Sequence, residues 1–313
     1  RSSCGQIRSR LVGVMKYGLI AEKVGHSFSA EIHNKLFGYE YELKAIAKDE
    51  LDTFMKKRDF LGINITIPYK QAVMPYLDYV DQTALDIGAV NTVVNVDNKL
   101  CGYNTDLMGM IALIKRNEIE LADKKVLILG SGGTSKTAFY ATKNLNCSRA
   151  YRVSRSGKNG CITYEEALTK HSDAEVIINT TPSGMYPDIG KSAINVDCFT
   201  NLHGVIDVVY NPLRPKLVCD ALKRGIKAAG GLYMLVAQAA YAAERFVNKT
   251  ADKDRIDAVY RDIFASKQNI VLVGMPGSGK SSTGKIIAEK NGKEFIDTDV
   301  EIYKKTGKYP HEI

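Results

Sequence analysis

Residues Val126–Ser135 read VLILGSGGTS, an apolar run followed at once by a glycine-rich loop. The run is typical of a buried strand, and Lys136–Asn146 beyond the loop has apolar residues at helical spacing. Glycines between a strand and a helix let the backbone turn tightly and approach a pyrophosphate, which the helix N-terminus favours. The stretch predicts a dinucleotide-binding βαβ unit; a glycine turn that merely joins a strand to a helix is the alternative.

Short β-branched runs alternate with helical patterns along most of the chain. One helical pattern, Leu217–Arg224, is followed by Gly225, the residue type that commonly ends a helix. This alternation predicts an α/β fold with parallel sheets and helical crossovers. The runs are Val126–Leu129, Ala150–Val153, Val176–Asn179, Val205–Val209 and Ile270–Val273.

The loop after the second strand of the unit indicates which dinucleotide is bound. An NAD site has an acid about 20 residues after the glycine loop, for the ribose hydroxyls. No Asp or Glu occurs from Ser131 to Tyr164, and the second strand is followed by SRSGK at 154–158. Arg155 can hold the extra phosphate of NADP with its planar fork, and Lys158 adds positive charge. The sequence predicts NADP, with a solvated basic turn as the alternative.

Composition narrows the class of protein. The chain has 313 residues, of which 45% are hydrophobic and 25% charged, values typical of a soluble globular chain with about two domains. The most apolar segment, Gly231–Phe246, is interrupted by Gln238 and Glu244, so no run reaches the roughly 18 apolar residues of a membrane span. The net charge is +8, but basic residues are scattered and Trp is absent. We therefore expect anionic small molecules as partners, no nucleic acid and no membrane.

The cysteines and the chain's first segment suggest a compartment and a boundary. The six cysteines are scattered without a C-x-x-C pair, which predicts neither a zinc site nor a disulfide framework and favours the cytoplasm. Residues 1–14 are basic and rich in Ser, and are interpreted as an expression scar, a trimmed leader or the tail of an upstream segment. The polar stretch at 265–269 is the expected boundary before a final segment.

Four polar segments precede the nucleotide unit: His26–Ser29, Asn64–Lys70, Gly88–Thr92 and Gly102–Asp106. Their side chains supply hydrogen-bond donors and acceptors, which suits a ligand with several hydroxyls and a carboxylate. Taken singly, each segment could equally be a turn or a helix cap.

These segments, in this order, resemble the shikimate dehydrogenase family over about residues 16–264. Residues 64–70 (NITIPYK) are similar to the family motif N-V-T-x-P-x-K, and residues 104–109 (NTDLMG) to N-T-D-x-x-G. His26–Ser29 matches the paired-serine motif, although Ala30 stands where a proline is usual. The resemblance continues through Asn179–Met185, Asp207–Pro212 and Met234–Gln238.

The resemblance implies a Rossmann-like NADP-binding domain plus a separate α/β substrate domain. Residues 15–105 plus 232–264 would form the substrate domain and residues 106–231 the NADP-binding domain. The implied reaction is the reversible, NADP-linked reduction of 3-dehydroshikimate to shikimate in chorismate and aromatic amino acid biosynthesis. A quinate/shikimate dehydrogenase is the alternative, and a monomer or homodimer is expected. A binding protein without turnover is the alternative from another class, against which the intact Lys70 and Asp106 argue.

The resemblance also assigns residues. Lys70 and Asp106 would be the catalytic pair, because a cation beside a ketone oxygen stabilises the charge that hydride transfer creates and can supply a proton. No metal is expected in the reductase, and His26 is expected to cap or pack beside the serines. The implied substrate-binding residues are Ser27, Ser29, Thr66, Asn91, Tyr210 and Gln238. The implied cofactor-binding residues are Gly130, Gly132, Gly133, Ser154, Arg155, Ser156, Lys158, Thr180, Met185 and Gly231.

Two departures from the family pattern bear on the prediction of the cofactor. Ser154 replaces the asparagine usual before the arginine, and Ala239 replaces a common glycine. They leave the strictness for NADP over NAD open.

A second nucleotide motif lies near the chain's last residues. Residues 274–281 (GMPGSGKS) form a complete G-x-x-x-x-G-K-S phosphate loop after the apolar run 269–273. With FIDTD at 295–299, it resembles the start of shikimate kinase. The implied ATP-binding residues are Gly274, Gly279, Lys280 and Ser281, the implied Mg²⁺ ligands are Ser281 and Asp297, and Asp299 would contact a shikimate hydroxyl.

The length of this final segment, residues 268–313, is short for a kinase. A typical domain needs roughly 100 residues or more. We therefore expect an incomplete P-loop kinase segment of a bifunctional fusion, without kinase turnover. ATP and Mg²⁺ would serve only a complete kinase domain, and ATP-dependent shikimate kinase activity of a full-length parent is the alternative function.

Overall fold

The computed structural model of the chain describes residues 15–25 and 27–313. Contacts divide the chain into two compact units, with the division between Lys267 and Gln268. We call these the first and the second unit. The predictions for residues 1–14 and for His26 lie outside the described residues. Within the described ranges, no helix has the length and apolar character needed to cross a membrane.

The first sheet has six strands in the order β2-β1-β3-β5-β6-β4. Its strands β1, β2 and β3 are parallel, whereas β5 runs antiparallel to both β3 and β6. The sheet is therefore mixed; the apolar runs from which parallel sheets were predicted all lie outside it. The strands are β1 (Tyr17–Ala21), β2 (Glu42–Ala45), β3 (Gly62–Ile65), β4 (Tyr79–Val80), β5 (Thr92–Val96) and β6 (Lys99–Tyr103).

A two-residue turn explains the antiparallel pair. Asp97 and Asn98 between β5 and β6 both have positive φ, 50° and 62°. Two successive positive φ angles close a tight hairpin whose twist matches that of the strands. The hairpin therefore replaces the helical crossover that a parallel pair would need.

The second sheet also has six strands, in the order β12-β11-β10-β7-β8-β9, and every pair is parallel. This confirms the predicted parallel sheet with helical crossovers. One strand ends at Asp207, two residues before the predicted end, because the Asp207 carboxylate accepts a hydrogen bond from the Val209 amide and turns the chain. The strands are β7 (Lys125–Leu129), β8 (Arg149–Val153), β9 (Cys161–Ile162), β10 (Val176–Asn179), β11 (Gly204–Asp207) and β12 (Lys227–Ala229).

Helices cover the sheets of the first unit. Gly225, just beyond α7, has φ 72°, as expected of a glycine that ends a helix. The helices of this unit are α1 (Ser29–Phe37), α2 (Leu51–Lys57), α3 (Gln82–Ile87), α4 (Asp106–Arg116), α5 (Gly133–Asn144), α6 (Tyr164–Lys170), α7 (Lys216–Lys223), α8 (Leu232–Val247) and α9 (Lys253–Lys267). The predicted boundaries of the substrate and NADP-binding domains inside this unit stay predictions.

The first unit has two halves, one built on each sheet. The pairing of α4 with α8 joins them. Met110 and Leu113 of α4 share a core with Val236 and Ala240 of α8, and all four side chains are fully buried or nearly so. Gly109 permits the close approach, since a Cβ there would lie 2.8 Å from the Met234 carbonyl oxygen. The contact brings the start of α4 and the first turns of α8 to the same wall of the cavity described in the next section.

The second unit contains α10 (Lys280–Lys290) and α11 (Thr298–Thr306). Its apolar run 269–273 is not a strand, so that prediction is wrong. A parallel strand needs a neighbour for its backbone hydrogen bonds, and the described residues of this unit include no partner strand. The run is accordingly exposed, with Val271 at 78% and Val273 at 91%.

Candidate active site

Four strand ends of the first sheet meet at one edge. Strands β1 and β3 run parallel and end there, β5 starts there because it is antiparallel to β3, and β6 returns there. The Ile65 amide donates to the Asn91 carbonyl at 2.8 Å, and the Asn91 amide donates to the Tyr103 carbonyl at 3.0 Å. The polar segments that follow or precede these strands are thus brought together, although they are far apart in sequence.

Lys70 and Asp106 form an ion pair at this edge. The Lys70 Nζ donates to the Asp106 Oδ2 at 2.6 Å, and the side chains are 25% and 14% exposed. Asp106 is the first residue of α4, where the helix dipole favours a negative charge. A lysine held by a carboxylate in a partly buried site can stabilise a developing oxyanion and pass it a proton.

The paired serines lie in the loop between β1 and α1. Ser27 Oγ donates to Ser29 Oγ at 2.9 Å, and the Ser29 amide donates to Ser27 Oγ at 3.2 Å. Ser29 is the first residue of α1, whose first-turn amides have no partner within the helix. Two hydroxyls at a helix N-terminus form a suitable place for a carboxylate.

Asn91 is fixed by a buried network. Its Oδ1 accepts from the Thr105 amide at 2.7 Å, and its Nδ2 donates to Thr105 Oγ1 at 3.0 Å and to Gln238 Oε1 at 3.5 Å. Asn64 continues the network, since its Nδ2 donates to Thr92 Oγ1 at 3.0 Å and its Oδ1 accepts from the Tyr41 hydroxyl at 2.8 Å. Satisfied buried networks of this kind hold side chains in one orientation.

A cavity of about 360 Å³ opens beside these groups. Its lining includes every predicted catalytic and substrate-binding residue: Lys70, Asp106, Ser27, Ser29, Thr66, Asn91, Tyr210 and Gln238. Tyr210 comes from the second sheet's side, where burial raises the pKa of its hydroxyl and its ring lies 5.7 Å from that of Phe28. The cavity is thus lined by both halves of the first unit.

The glycine loop lies between β7 and α5. Gly130 has φ 123°, and a Cβ there would lie 2.5 Å from Thr180 Oγ1, so only glycine fits. At Gly132 and Gly133 a Cβ would meet no described atom within 4 Å, so open space adjoins the first turn of α5. A glycine with positive φ, followed by open space at a helix N-terminus, fits a pyrophosphate.

The basic loop lies beside the glycine loop, because β8 pairs with β7 and the Gly130 amide donates to the Val153 carbonyl at 2.8 Å. Ser154 is buried and its Oγ accepts from the Gly157 amide at 3.2 Å. Arg155, Ser156 and Lys158 are exposed, and no ion pair of Arg155 or Lys158 occurs within the described residues. Arg155 and Lys158 therefore lie beside the glycine loop without an ion-pair partner among the described residues.

The remaining predicted cofactor residues differ in position. Gly231 lines the cavity, and a Cβ there would lie 2.1 Å from the Val208 carbonyl oxygen. The Thr180 hydroxyl donates to the Leu129 carbonyl at 2.6 Å, so it braces the end of β7. Met185 is 46% exposed and does not line the cavity.

The cavity lining also contains residues that sequence reasoning left without a role, among them Lys23, Asn64, Thr134 and Met234. Asn64 could have been found, since it is a polar residue inside the otherwise apolar β3. Thr134 belongs to the quoted glycine loop. Lys23 carries no periodicity or motif that would have singled it out.

The phosphate loop of the second unit has a geometry of its own. Gly277 and Gly279 have φ 77° and 78°, and α10 begins directly after them. Ser281 Oγ donates to Asp297 Oδ2 at 3.4 Å, and Lys280 Nζ donates to the Met275 carbonyl at 2.7 Å. The hydroxyl and the carboxylate proposed for the metal are thus close together.

Comparison with known families gives two matches. Residues 19–93 match the family described as shikimate dehydrogenase substrate binding domain. Residues 276–313 match the family described as shikimate kinase.

Relatives match most of the chain. The NADP(+) shikimate dehydrogenase of Clostridium beijerinckii is 37% identical over 261 residues, which cover 78% of this chain and 96% of the relative. Among solved structures, a chorismate mutase/shikimate 5-dehydrogenase fusion protein from Clostridium acetobutylicum superimposes with a TM-score of 0.77 at 32% identity, covering 82% of this chain and all of that chain.

A third similar protein was solved with ligands. Shikimate 5-dehydrogenase from Thermus thermophilus, in complex with NADP(H) and shikimate, has a TM-score of 0.72 at 27% identity and covers 79% of this chain and 99% of that chain. The identity, the coverage and the fold agree with the motifs quoted from the sequence. The chain therefore belongs to the shikimate dehydrogenase family.

Proposed function

We propose that the first unit catalyses the reversible, NADP-linked interconversion of 3-dehydroshikimate and shikimate. The observation that carries the proposal is the Lys70–Asp106 pair, with its 2.6 Å contact, in a cavity lined by all the predicted substrate-binding residues. The relatives' activity agrees with it.

Lys70 handles the proton. Bound NADP supplies or accepts the hydride. In the reductive direction the ketone carbon gains hydride, the electron pair of the C=O π bond moves to oxygen, and the Lys70 ammonium stabilises that oxygen and gives it a proton. In the oxidative direction the neutral amine takes the proton of the hydroxyl group. Asp106 holds the Lys70 side chain in place through its Oδ2.

The other polar residues of the cavity orient the substrate. Ser27 and Ser29 bind the carboxylate at the start of α1, and Asn91 and Gln238, already fixed to each other, bind ring hydroxyls. Thr66 and Tyr210 complete the ring contacts. Orientation of this kind lowers the entropy that must be lost when the reacting atoms meet.

The NADP site combines the glycine loop and the basic loop. Gly130, Gly132 and Gly133 receive the pyrophosphate at the start of α5, with Thr180 and Gly231 shaping the walls. Arg155 and Lys158, with Ser154 and Ser156, hold the additional phosphate that distinguishes NADP from NAD. Met185 would contact the cofactor. The cytoplasmic localisation and the monomeric or homodimeric state stay predictions.

The test is shikimate-dependent reduction of NADP⁺ by the purified chain, with quinate and NAD⁺ in parallel. We expect shikimate with NADP⁺ to be the preferred pair and Lys70→Met to lower kcat by about a thousandfold, since it removes both charge stabilisation and proton transfer. Lys280→Met, in the phosphate loop of the second unit, is the matched control and should leave this activity unchanged. A folded Lys70→Met variant that retains activity would refute the mechanism, and a wild-type chain inactive with both acids would refute the function.

For the second unit we propose a nucleotide site. The backbone amides of the phosphate loop, with Lys280, hold ATP phosphates, and Ser281 and Asp297 bind Mg²⁺, which prefers such hard oxygen ligands. Asp299 would contact a shikimate hydroxyl. That the segment gives no kinase turnover stays a prediction, checked by ATP consumption in the presence of shikimate. Binding of Mg²⁺-ATP that is lost in Lys280→Met would support the site.

A further inference from the structure

Lys23 lies on the same loop as the paired serines. It follows β1 by two residues and precedes Ser27 by four, and it lines the cavity together with Ser27 and Ser29. Its backbone position is fixed by a strand that pairs with both β2 and β3. No sequence motif assigns this lysine a role, and the mechanism above does not use it.

The charge of the cavity wall singles out Lys23. Of the described lining residues, Lys23, Lys70 and Asp106 are the ones that carry a charge at neutral pH. Lys70 and Asp106 are paired at 2.6 Å, so their charges compensate each other. The neighbouring Glu22 pairs with Lys48 at 3.6 Å instead, and no described carboxylate forms an ion pair with Lys23. The described wall therefore carries one uncompensated positive charge, on Lys23.

Other titratable groups near the cavity do not change this balance. Burial raises the pKa of Tyr210, which keeps its hydroxyl neutral. His33 of α1 is fully buried, and burial lowers its pKa to about 3, so it stays neutral as well. The positive charge on the serine loop thus has no described counter-charge until an anion enters.

We propose that Lys23 is a specificity-determining residue that pairs with the substrate's carboxylate and selects the carboxylate anion over neutral analogues of the same ring. The proposal rests on the proposed function. The serine hydroxyls and the first turn of α1 give the carboxylate oriented hydrogen bonds, and Lys23 gives the compensating charge. The Lys70–Asp106 pair is thereby left to the reacting hydroxyl.

The expected effect is on binding and not on chemistry. A carboxylate contact that is equal in the ground state and the transition state raises KM when removed and leaves kcat unchanged. Lys23 is exposed, so solvent screens the pair and salt weakens it.

The experiment measures shikimate oxidation by the full chain for wild type, Lys23→Met and Lys23→Arg. Lys23→Met should raise KM for shikimate about tenfold, with kcat changed less than about twofold, and Lys23→Arg should restore most of the loss because it retains the charge. The KM for NADP⁺ should not change. Raising the salt concentration should raise the wild-type KM and narrow the difference between wild type and Lys23→Met.

The carboxamide of shikimate separates charge from packing. Wild type and Lys23→Met should have equal KM values for this neutral analogue. Lys44→Met is the matched control, because it removes a positive charge from β2, the strand beside β1, but does not line the cavity. It should leave the KM for shikimate unchanged.

Two results would overturn the proposal. One is an unchanged KM for shikimate in Lys23→Met, and the other is an equal loss for shikimate and for its carboxamide. If the wild type oxidises no shikimate, the proposed function fails, and calorimetric binding of shikimate decides the role of Lys23 separately. Equal affinities of wild type and Lys23→Met would then reject it, and weaker binding by the variant would support it.

Discussion

Two glycine-rich loops of this molecule follow apolar runs and begin helices, but only one of the runs is a strand. In the first unit, Val126–Leu129 is completely buried in β7, with β8 on one side and β10 on the other. In the second unit, Ile270–Val273 is 37% to 91% exposed and has no strand partner among that unit's described residues. Both loops nevertheless contain glycines with positive φ, and a helix follows each.

The difference shows which structural features depend on residues nearby in sequence and which depend on distant ones. A glycine turn and the helix after it depend on conformational freedom and on hydrogen bonds within a few residues. A parallel strand depends on neighbours that lie far away in sequence and bond its backbone on both edges. A complete nucleotide motif is therefore evidence for a loop and a helix, while the sheet beneath it must be established separately.

The largest expected difference in activity is between two glycine-to-alanine variants, one in each loop. Gly130→Ala forces a side chain into a backbone with φ 123° and within 2.5 Å of Thr180 Oγ1, which braces β7 through the Leu129 carbonyl. We expect kcat/KM for NADP⁺ to fall about a hundredfold, because the loop must shift away from the pyrophosphate. Steady-state kinetics with shikimate saturating will measure it.

The matched change is Gly277→Ala in the phosphate loop. Gly277 also has a positive φ, 77°, but a Cβ there meets no described atom within 4 Å. Dehydrogenation of shikimate should be unaffected. Equal losses of dehydrogenase activity in Gly130→Ala and Gly277→Ala would contradict the prediction that only the first loop serves this reaction.

A smaller effect is expected from truncating one valine in each apolar run. Val126 of β7 is completely buried, whereas Val273 is 91% exposed. Val126→Ala should lower the free energy of unfolding by about 2 to 3 kcal/mol, through lost burial and the cavity it leaves. Val273→Ala should change it by less than about 0.5 kcal/mol.

Urea denaturation of the full chain, followed by circular dichroism, compares the two valine variants. A loss at Val273 as large as that at Val126 would mean that the second run is buried in solution. The comparison of the two regions would then have to be abandoned.

The sequence predicted the residue types of the site better than the way they are held. Lys70 and Asp106 lie 36 residues apart, and nothing in their spacing indicates a 2.6 Å contact. The contact arises because β3 and β6, both antiparallel to β5, run in the same direction, so the segments that follow them meet at one end of the sheet. The motifs supplied by the family resemblance named these residues; physical reasoning from single segments had left each of them as a possible turn or cap.

The parts that were not predicted have physical reasons. The β5–β6 hairpin was missed because its turn contains no glycine, the usual sign of positive φ. The turn is formed by Asp97 and Asn98, two residue types that tolerate positive φ. The strand at 269–273 was wrongly predicted because apolar runs do not reveal whether a partner strand exists. Lys23 was missed because a single lysine in a loop looks the same whether it faces solvent or a cavity.

The smallest expected effect concerns two carboxyl groups, Asp207 of the first unit and Asp297 of the second. Asp207 ends β11 and is completely buried; its Oδ1 accepts from Asn179 and from the Val209 amide, but its Oδ2 has no hydrogen-bond partner among the described residues. Burial raises the pKa of this carboxyl to about 6, from an ordinary value of 3.8. Asp297, the acid of the second unit's motif, is only half-buried.

The raised pKa fixes the sign of a pH effect. Between about pH 4 and 6 the folded state keeps a proton on Asp207 that the unfolded state has lost, so this contribution to stability is complete below the unfolded pKa and is lost as pH rises through about 6. Asp207→Asn retains the accepting oxygen and cannot ionise. The variant should therefore gain stability over wild type as pH rises from 5 to 7, by about 1 to 2 kcal/mol, and the gain should level off above pH 7. Urea denaturation of both proteins across this range isolates Asp207, since every other titrating group is common to them; a difference that stays constant with pH would show that Asp207 does not change its ionisation in the folded state between pH 5 and 7, and would contradict the prediction.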